Sequence, residues 1–251
     1  MQTSDHPSST SQRLALVDTL RGFAILLMVI FHFCFDLSYY GLADFDFYSD
    51  PFWLHFRTII LSSFLLIMGI SFALANADNF NRQHYLRRLG ILIASALLIS
   101  ISTWLTFGDR FIFFGVLHFI AVASAFGLLF VHAGRFNLLA GVALIAFANL
   151  NQFAWFDQTG WRWIGLMTYR PGTEDYVPLL PWFGVVLIGM YLSPMVNHLA
   201  QKYLTTPQLP LGNTLALAGR HSLIIYLVHQ PLLMGLLWIY TNALNTMAQS
   251  G

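Results

Sequence analysis

Apolar residues fall into seven long runs, at 17–40, 52–76, 86–107, 111–132, 136–156, 179–199 and 222–246. Each reaches or approaches the roughly 20 residues that a helix needs to cross a hydrocarbon core of about 30 Å. The pattern predicts an all-α, polytopic bundle of about seven transmembrane helices. Connections are short except for 157–178 and 200–221, and no soluble domain or internal repeat interrupts the series. Residues 1–12 (MQTSDHPSSTSQ) are polar and read as a disordered tail. The first apolar run is too long for a signal peptide and should stay as a helix, so 13–251 forms one membrane domain.

Composition agrees. The chain has 251 residues, 57% of them hydrophobic and only 9% charged. Soluble chains carry roughly 25% charged residues, so the lipid bilayer is the expected solvent. A net charge of +1 gives no field that would favour nucleic acid. Orientation follows from Lys and Arg in the loops. With alternating helices, Arg13, Arg21, Arg82, Arg87, Arg88, Arg135, Lys202 and Arg220 share one side, and Arg57, Arg110, Arg162 and Arg170 lie on or near the other. The N-terminus is therefore expected in the cytoplasm and the C-terminus outside. All seven tryptophans, Trp182 among them, then fall in the outer half, as a lopsided interfacial belt or a platform for an acceptor. The single cysteine, Cys34, reads as a core side chain.

The first run departs from this apolar pattern. It carries Asp18, Arg21, His32 and Asp36. At 100° per residue these point to about 0°, 300°, 320° and 0°, one stripe about 60° wide. Ionisable groups in a membrane helix are costly, and they face a bundle interior or a wet cavity. Arg21 and His32 are eleven residues apart, about 16 Å of rise. An anion could dock at Arg21 and extend a thin arm towards His32. Asp36, at i+4 from His32, could accept a hydrogen bond from the imidazole and make it a general base.

Other candidates lie elsewhere. His118 is a lone histidine in the fourth run. His229 and Gln230 precede Pro231, which frees a backbone carbonyl that polar groups can pair with. Arg82, Arg87, Arg88 and Arg220 are either a phosphate-binding cluster or ordinary cytoplasmic anchors. Glu174 and Asp175, with Arg170, could meet an acceptor outside or form a solvated salt bridge. There is no P-loop, no GxGxxG and no metal-ligand spacing, and no metal is expected.

Several segments resemble transmembrane acyltransferases. Asp18-x-x-Arg21-Gly22-x-Ala24 followed by His32 is similar to their first helix. Phe114-Gly115-Val116-Leu117-His118, then Asp175-Tyr176-x-Pro178-Leu179-Leu180-Pro181-Trp182-Phe183-Gly184, resemble motifs of the heparan-alpha-glucosaminide N-acetyltransferase family, small bacterial members included. Gly219-Arg220-x-Ser222-Leu223-x-x-Tyr226-Leu227-x-His229-Gln230-Pro231 resembles a last-helix signature shared with the family that O-acylates bacterial surface polysaccharides. The resemblance implies transfer of an acyl group, expected to be acetyl, from cytoplasmic acetyl-CoA (an acyl-CoA) to an amino-sugar, glycan or lipid-linked sugar acceptor at the outer face of a bacterial inner membrane. It implies that Arg21 meets the CoA phosphates and that His32 sits where acyl is handed over; Asp18, Arg87, Arg88 and Arg220 are the further candidates for binding the donor. The family's lysosomal member carries its catalytic histidine further on, before the second helix, which makes His55 a competing candidate. Catalytic candidates are thus His32, Asp36, His55 and His118; Asp175, Trp182, His229 and Gln230 are candidates for the acceptor. Direct transfer and a transient acyl-histidine stay open, as does a homodimer. The competing reading is a proton-coupled transporter that uses the His32/Asp36 stripe as a relay. A third is a non-catalytic lipid- or sugar-binding protein.

Overall fold

The computed structural model describes residues 9–77, 80–173, 175–203 and 210–250. Among them are eight α-helices: α1 (Ser9–Tyr39), α2 (Pro51–Asn76), α3 (Arg82–Phe107), α4 (Val116–Gly127), α5 (Arg135–Leu150), α6 (Leu179–Tyr203), α7 (Pro210–Arg220) and α8 (Ser222–Ser250). The described residues contain no strand, only an isolated parallel bridge between Phe114 and Tyr176. The all-α bundle expected from the sequence is what forms.

Five segments are long and apolar enough to cross a membrane: Ala15–Tyr39, Pro51–Asn76, Arg82–Arg110, Leu179–Ala200 and Ser222–Met247. The other two of the seven runs are helical but shorter, Val116–Phe130 and Arg135–Leu150. The cause is visible at their ends. Gly115 is extended, with φ −98° and ψ −168°, and Val177 N–H donates to the Phe114 carbonyl, so the chain before Val116 joins a loop instead of a helix. Asn151 is extended likewise, at φ −131° and ψ 137°, and ends α5 before the run does.

Two boundaries differ from expectation. The polar tail was expected to reach residue 12, yet α1 already begins at Ser9; residues 1–8 lie outside those described. The stretch 200–221 was expected to be a plain connection, yet it contains α7. Proline suits the first helical position because its missing N–H would have no partner there, and Pro210 opens this helix. One residue, His221, separates α7 from α8. The ladder runs through it, from His221 N–H to the Leu217 carbonyl and from Ile225 N–H to the His221 carbonyl.

The chain forms two compact units, residues 1–64 with 197–251, and residues 65–196. The first contains α1, α7, α8 and the start of α2. Its core joins Met28 and Phe31 of α1, Phe47 of the following loop, and Trp53 and Ile60 of α2. Ring pairs Phe31–Phe47 and Phe31–Trp53, with centroids 5.3 and 5.9 Å apart, fix the loop over the helix pair. The second unit contains the rest of α2, then α3, α4, α5 and most of α6. Leu65, Phe119, Val186 and Leu187 are fully buried there. Leu97, Leu98 and Ile101 of α3 are more than half exposed, an outward apolar surface that suits lipid and not water.

Candidate functional site

In the first unit the polar stripe of α1 faces α7 and α8. At one end Asp18 is buried and receives two arginines. Arg21 Nη1 donates to Oδ1 at 3.0 Å, and Arg220 Nε donates to Oδ2 at 3.3 Å. Arg21 Nη1 also reaches the Gly219 carbonyl at 3.4 Å. Two glycines make this approach possible. A Cβ on Gly219 would run into the Asp18 carbonyl, and one on Gly22 would run into the Leu215 carbonyl. The backbones of α1 and α7 therefore touch reciprocally. The Thr19 hydroxyl extends the seam to the Gly212 carbonyl at 3.5 Å.

Further along the stripe, the His32 and His229 rings meet edge to face, with centroids 5.0 Å apart and planes at 60°. His229 Nδ1 lies 2.8 Å from the Tyr226 carbonyl and 3.2 Å from the Ile225 carbonyl. Both are acceptors, so Nδ1 carries the proton and Nε2 presents a lone pair. That Nε2 is buried and has no hydrogen-bond partner. Asp36 is 1% exposed. The expected bond from His32 to Asp36 does not form; Asp36 Oδ1 accepts from Gln230 Nε2 at 2.7 Å instead. Asp36 Oδ2 and Gln230 Oε1 are left without partners. One turn on, the Tyr40 hydroxyl donates to the Met234 carbonyl at 3.1 Å, so α8 follows α1 through three successive polar contacts.

His55 lies apart from this pair. Trp53 and Ile60 turn the buried face of α2 inward, and two residues of helix put His55 about 200° from Trp53. It is exposed, and its Nδ1 lies 2.5 Å from the Pro51 carbonyl. The loop before α2 is ordered by Asp46. Its carboxylate accepts the backbone N–H groups of Tyr48 and Ser49 and the Ser49 hydroxyl, and these bonds, that hydroxyl's first, hold it below the usual carboxylate range.

In the second unit, the motif residues build a loop. Asp175 Oδ2 accepts Val116 N–H at 2.9 Å, at the start of α4, where an anion suits the free N–H groups. His118 Nδ1 accepts Gly115 N–H at 3.3 Å, and its Nε2 lies 3.0 Å from Ser100 Oγ. Ser100 gives its own proton to the Ile112 carbonyl at 2.6 Å, so Nε2 is the donor to Ser100. Both nitrogens of His118 are thereby used in holding the α3–α4 junction. Tyr176 donates to the Arg162 carbonyl at 2.6 Å. Burial pushes its phenol up to about 12, with Arg162 opposing the shift and Tyr169 adding to it. Trp182 is half-buried on α6. Glu174 lies outside the described residues. Arg87 and Arg88 are exposed on α3. Arg88 lines an open pocket with Phe72, Asn76, Asn81, His84 and Tyr85.

Sequence reasoning missed α7 and with it Leu215, and it met Gly219 only as part of the last-helix signature. The signal was present: a proline at one end, Gly-Arg at the other, and spaced apolar residues between. Among the described residues no group of three or more His, Cys, Asp or Glu could hold a metal ion. Residues 13–231 match the family described as heparan-alpha-glucosaminide N-acetyltransferase, catalytic. No curated protein and no solved structure matches the chain.

Proposed function

Since this chain belongs to the heparan-alpha-glucosaminide N-acetyltransferase family, we propose that it is a multi-pass acetyltransferase of a bacterial inner membrane that takes acetyl from acetyl-CoA on the cytoplasmic side and gives it to an amino-sugar, glycan or lipid-linked sugar at the outer face. The observation that carries this reading is the single stripe of α1. It joins an arginine pair at Asp18 to the half-buried His32 and the buried His229. The spacing from Arg21 to His32 is about 16 Å along the helix axis.

Arg21 and Arg220 meet the anionic end of the donor, and Asp18 fixes the direction of their forks. The thioester then lies near the histidines. The acceptor's amine or hydroxyl attacks the thioester carbon, the new N–C or O–C bond forms, and the C–S bond breaks. His32 takes the proton from the attacking group and hands it to the leaving sulfur. His55, exposed on the far face of α2, takes no part in this scheme. His118 and Asp175 keep the α4 loop in place.

The test is reconstitution in sealed vesicles, with acetyl-CoA supplied on one side and CoA release followed against an external amino sugar. General acid–base groups contribute about 10²- to 10⁴-fold, and His32→Ala should lose that much. His55→Ala should stay within about threefold of the starting protein. Turnover that survives His32→Ala and disappears in His55→Ala would reverse the assignment. Failure of acetyl-CoA to bind in calorimetry would move the weight to the transport reading.

A further inference from the structure

The polar stripe of α1 carries two aspartates, and their surroundings are opposite. Asp18 receives both Arg21 and Arg220. Asp36 is 1% exposed and has no ion pair among the described residues. Its one hydrogen bond comes from Gln230 Nε2, which donates to Oδ1 at 2.7 Å. The titratable side chains one turn away on the two helices supply nothing more. On α1, His32 makes no bond to Asp36, and the Tyr40 hydroxyl donates to the Met234 carbonyl at 3.1 Å. On α8, His229 Nδ1 gives its proton to the Tyr226 and Ile225 carbonyls. An ionised Asp36 would therefore be a buried charge with a single neutral donor, and a group so placed takes up a proton instead.

Two unpaired atoms indicate where that proton sits. Asp36 Oδ2 and Gln230 Oε1 are both buried and both lack a partner. Each shares its carbon with an atom of the existing hydrogen bond, so the two planar groups meet edge to edge when their planes align. With Asp36 ionised, both oxygens are acceptors and neither satisfies the other. Turning the carboxamide over only exchanges which carboxylate oxygen is left bare. One proton on Oδ2 satisfies both. We propose that Asp36 is a neutral carboxylic acid in a cyclic pair with the Gln230 carboxamide, and that this pair is the positioning contact that keeps His229 against His32. Gln230 Nε2 donates to Asp36 Oδ1, and Asp36 Oδ2–H donates to Gln230 Oε1.

The ring lies where α1 and α8 carry their histidines. His32 is one turn before Asp36, His229 immediately precedes Gln230, and the two imidazole centroids are 5.0 Å apart. A neutral ring joins the helices there through two bonds and brings no charge beside the histidines. Its part in the reaction rests on the acetyltransferase reading above; the ring itself does not. Asp36 acts through Gln230 and His229 and not on the substrate. With its proton held by Gln230, it is no base for a proton relay either.

The full chain in lipid nanodiscs tests the ring with one neutral replacement. Asparagine puts an oxygen where Oδ1 stands and an NH2 where Oδ2–H stands, so Asp36→Asn rebuilds both hydrogen bonds without a charge. Asp36→Ala leaves Gln230 bare. Infrared difference spectra of the starting protein against Asp36→Asn are taken at about pH 7, where an ordinary aspartate is ionised. They should show the loss of a protonated carboxylic-acid carbonyl band and no loss of a carboxylate band. Gln230→Leu keeps Asp36 and should move that acid band to higher frequency, and it supplies the comparison should Asp36→Asn not be recovered folded. Asp36→Asn should melt at least about 4 °C above Asp36→Ala. It should also keep about tenfold more kcat or better, with a similar KM for acetyl-CoA in the two variants, because a misplaced catalytic group lowers turnover. Loss of a carboxylate band in place of the acid band, an acid band unmoved in Gln230→Leu, or Asp36→Asn falling as far as Asp36→Ala overturns the proposal. The band and the melting order need no turnover. Seen with no acetylation of any acceptor, they would leave the ring standing and remove the acetyltransferase reading. Acetyl transfer without an acid band would do the reverse.

Discussion

Replacing Asp18 by Asn tests whether the α1–α7 junction turns on one buried carboxylate. Its side chain is 12% exposed and that of Arg21 is 22% exposed, whereas Arg220 is 60% exposed. Removing one partner of a buried pair costs about 3–5 kcal/mol, because the other charge stays behind. Asn keeps a carbonyl for Arg21 and the pair is not fully dry, so the loss should be about 2–3 kcal/mol. Arg220→Ala removes an exposed arm, for which about 0–1 kcal/mol is expected. At roughly 2–4 °C per kcal/mol for a chain of this size, Asp18→Asn should melt about 4–12 °C below the starting protein in nanodiscs. Arg220→Ala should fall by no more than about 4 °C. A cycle with Arg21→Met should give a coupling of about 1.5 kcal/mol or more, within the range for residues in contact. The KM for acetyl-CoA should rise in Asp18→Asn, because Arg21 loses its orientation. If Asp18→Asn and Arg220→Ala melt together, the carboxylate is not the pivot and the reasoning from burial fails.

Gly219→Ala forces a Cβ into the Asp18 carbonyl, and overpacking of this kind costs about 1–3 kcal/mol; a thermal melt should show a drop that Gly235→Ala, which meets nothing within 4 Å, does not. Tyr176 has its folded pKa raised to about 12, so its contribution to stability is complete below pH 10 and is lost as pH rises towards 12. An ultraviolet titration should lose one late-ionising phenol in Tyr176→Phe, and an unchanged curve would show that the burial is not as described. Asp175→Ala removes the acceptor of Val116 N–H and should cost about 0.5–2 kcal/mol, read as a lower melting temperature with the acetyl-CoA KM unmoved.

The polar stripe was legible because helical periodicity alone aligns Asp18, Arg21, His32 and Asp36, and all four do face protein partners. Their partners were less legible. The i+4 spacing permits a His32–Asp36 bond, but the choice between His32 and Gln230 depends on where α8 lies, 194 residues away. The seven-run count read apolar character as helix, whereas Phe114 spends it on a loop stitched to Tyr176 and Val177. The short α7 escaped because a half-polar helix of 11 residues has no spanning signal. His55 and His32 were inseparable by motif; the fold puts His32 beside His229 and His55 on an exposed face of α2, away from the buried Trp53.

The contacts that satisfy α1 come from the other end of the chain. Asp18 waits for Arg220, 202 residues later, and Asp36 waits for Gln230, 194 residues later. At about 5–20 residues per second, the ribosome needs roughly 10–40 s to supply them. For that interval the first helix holds its carboxylates and imidazole in the bilayer with none of these partners. A nascent chain stalled before α8 would therefore carry a polar seam open to lipid, a mark by which membrane quality control could tell an unfinished molecule from a finished one.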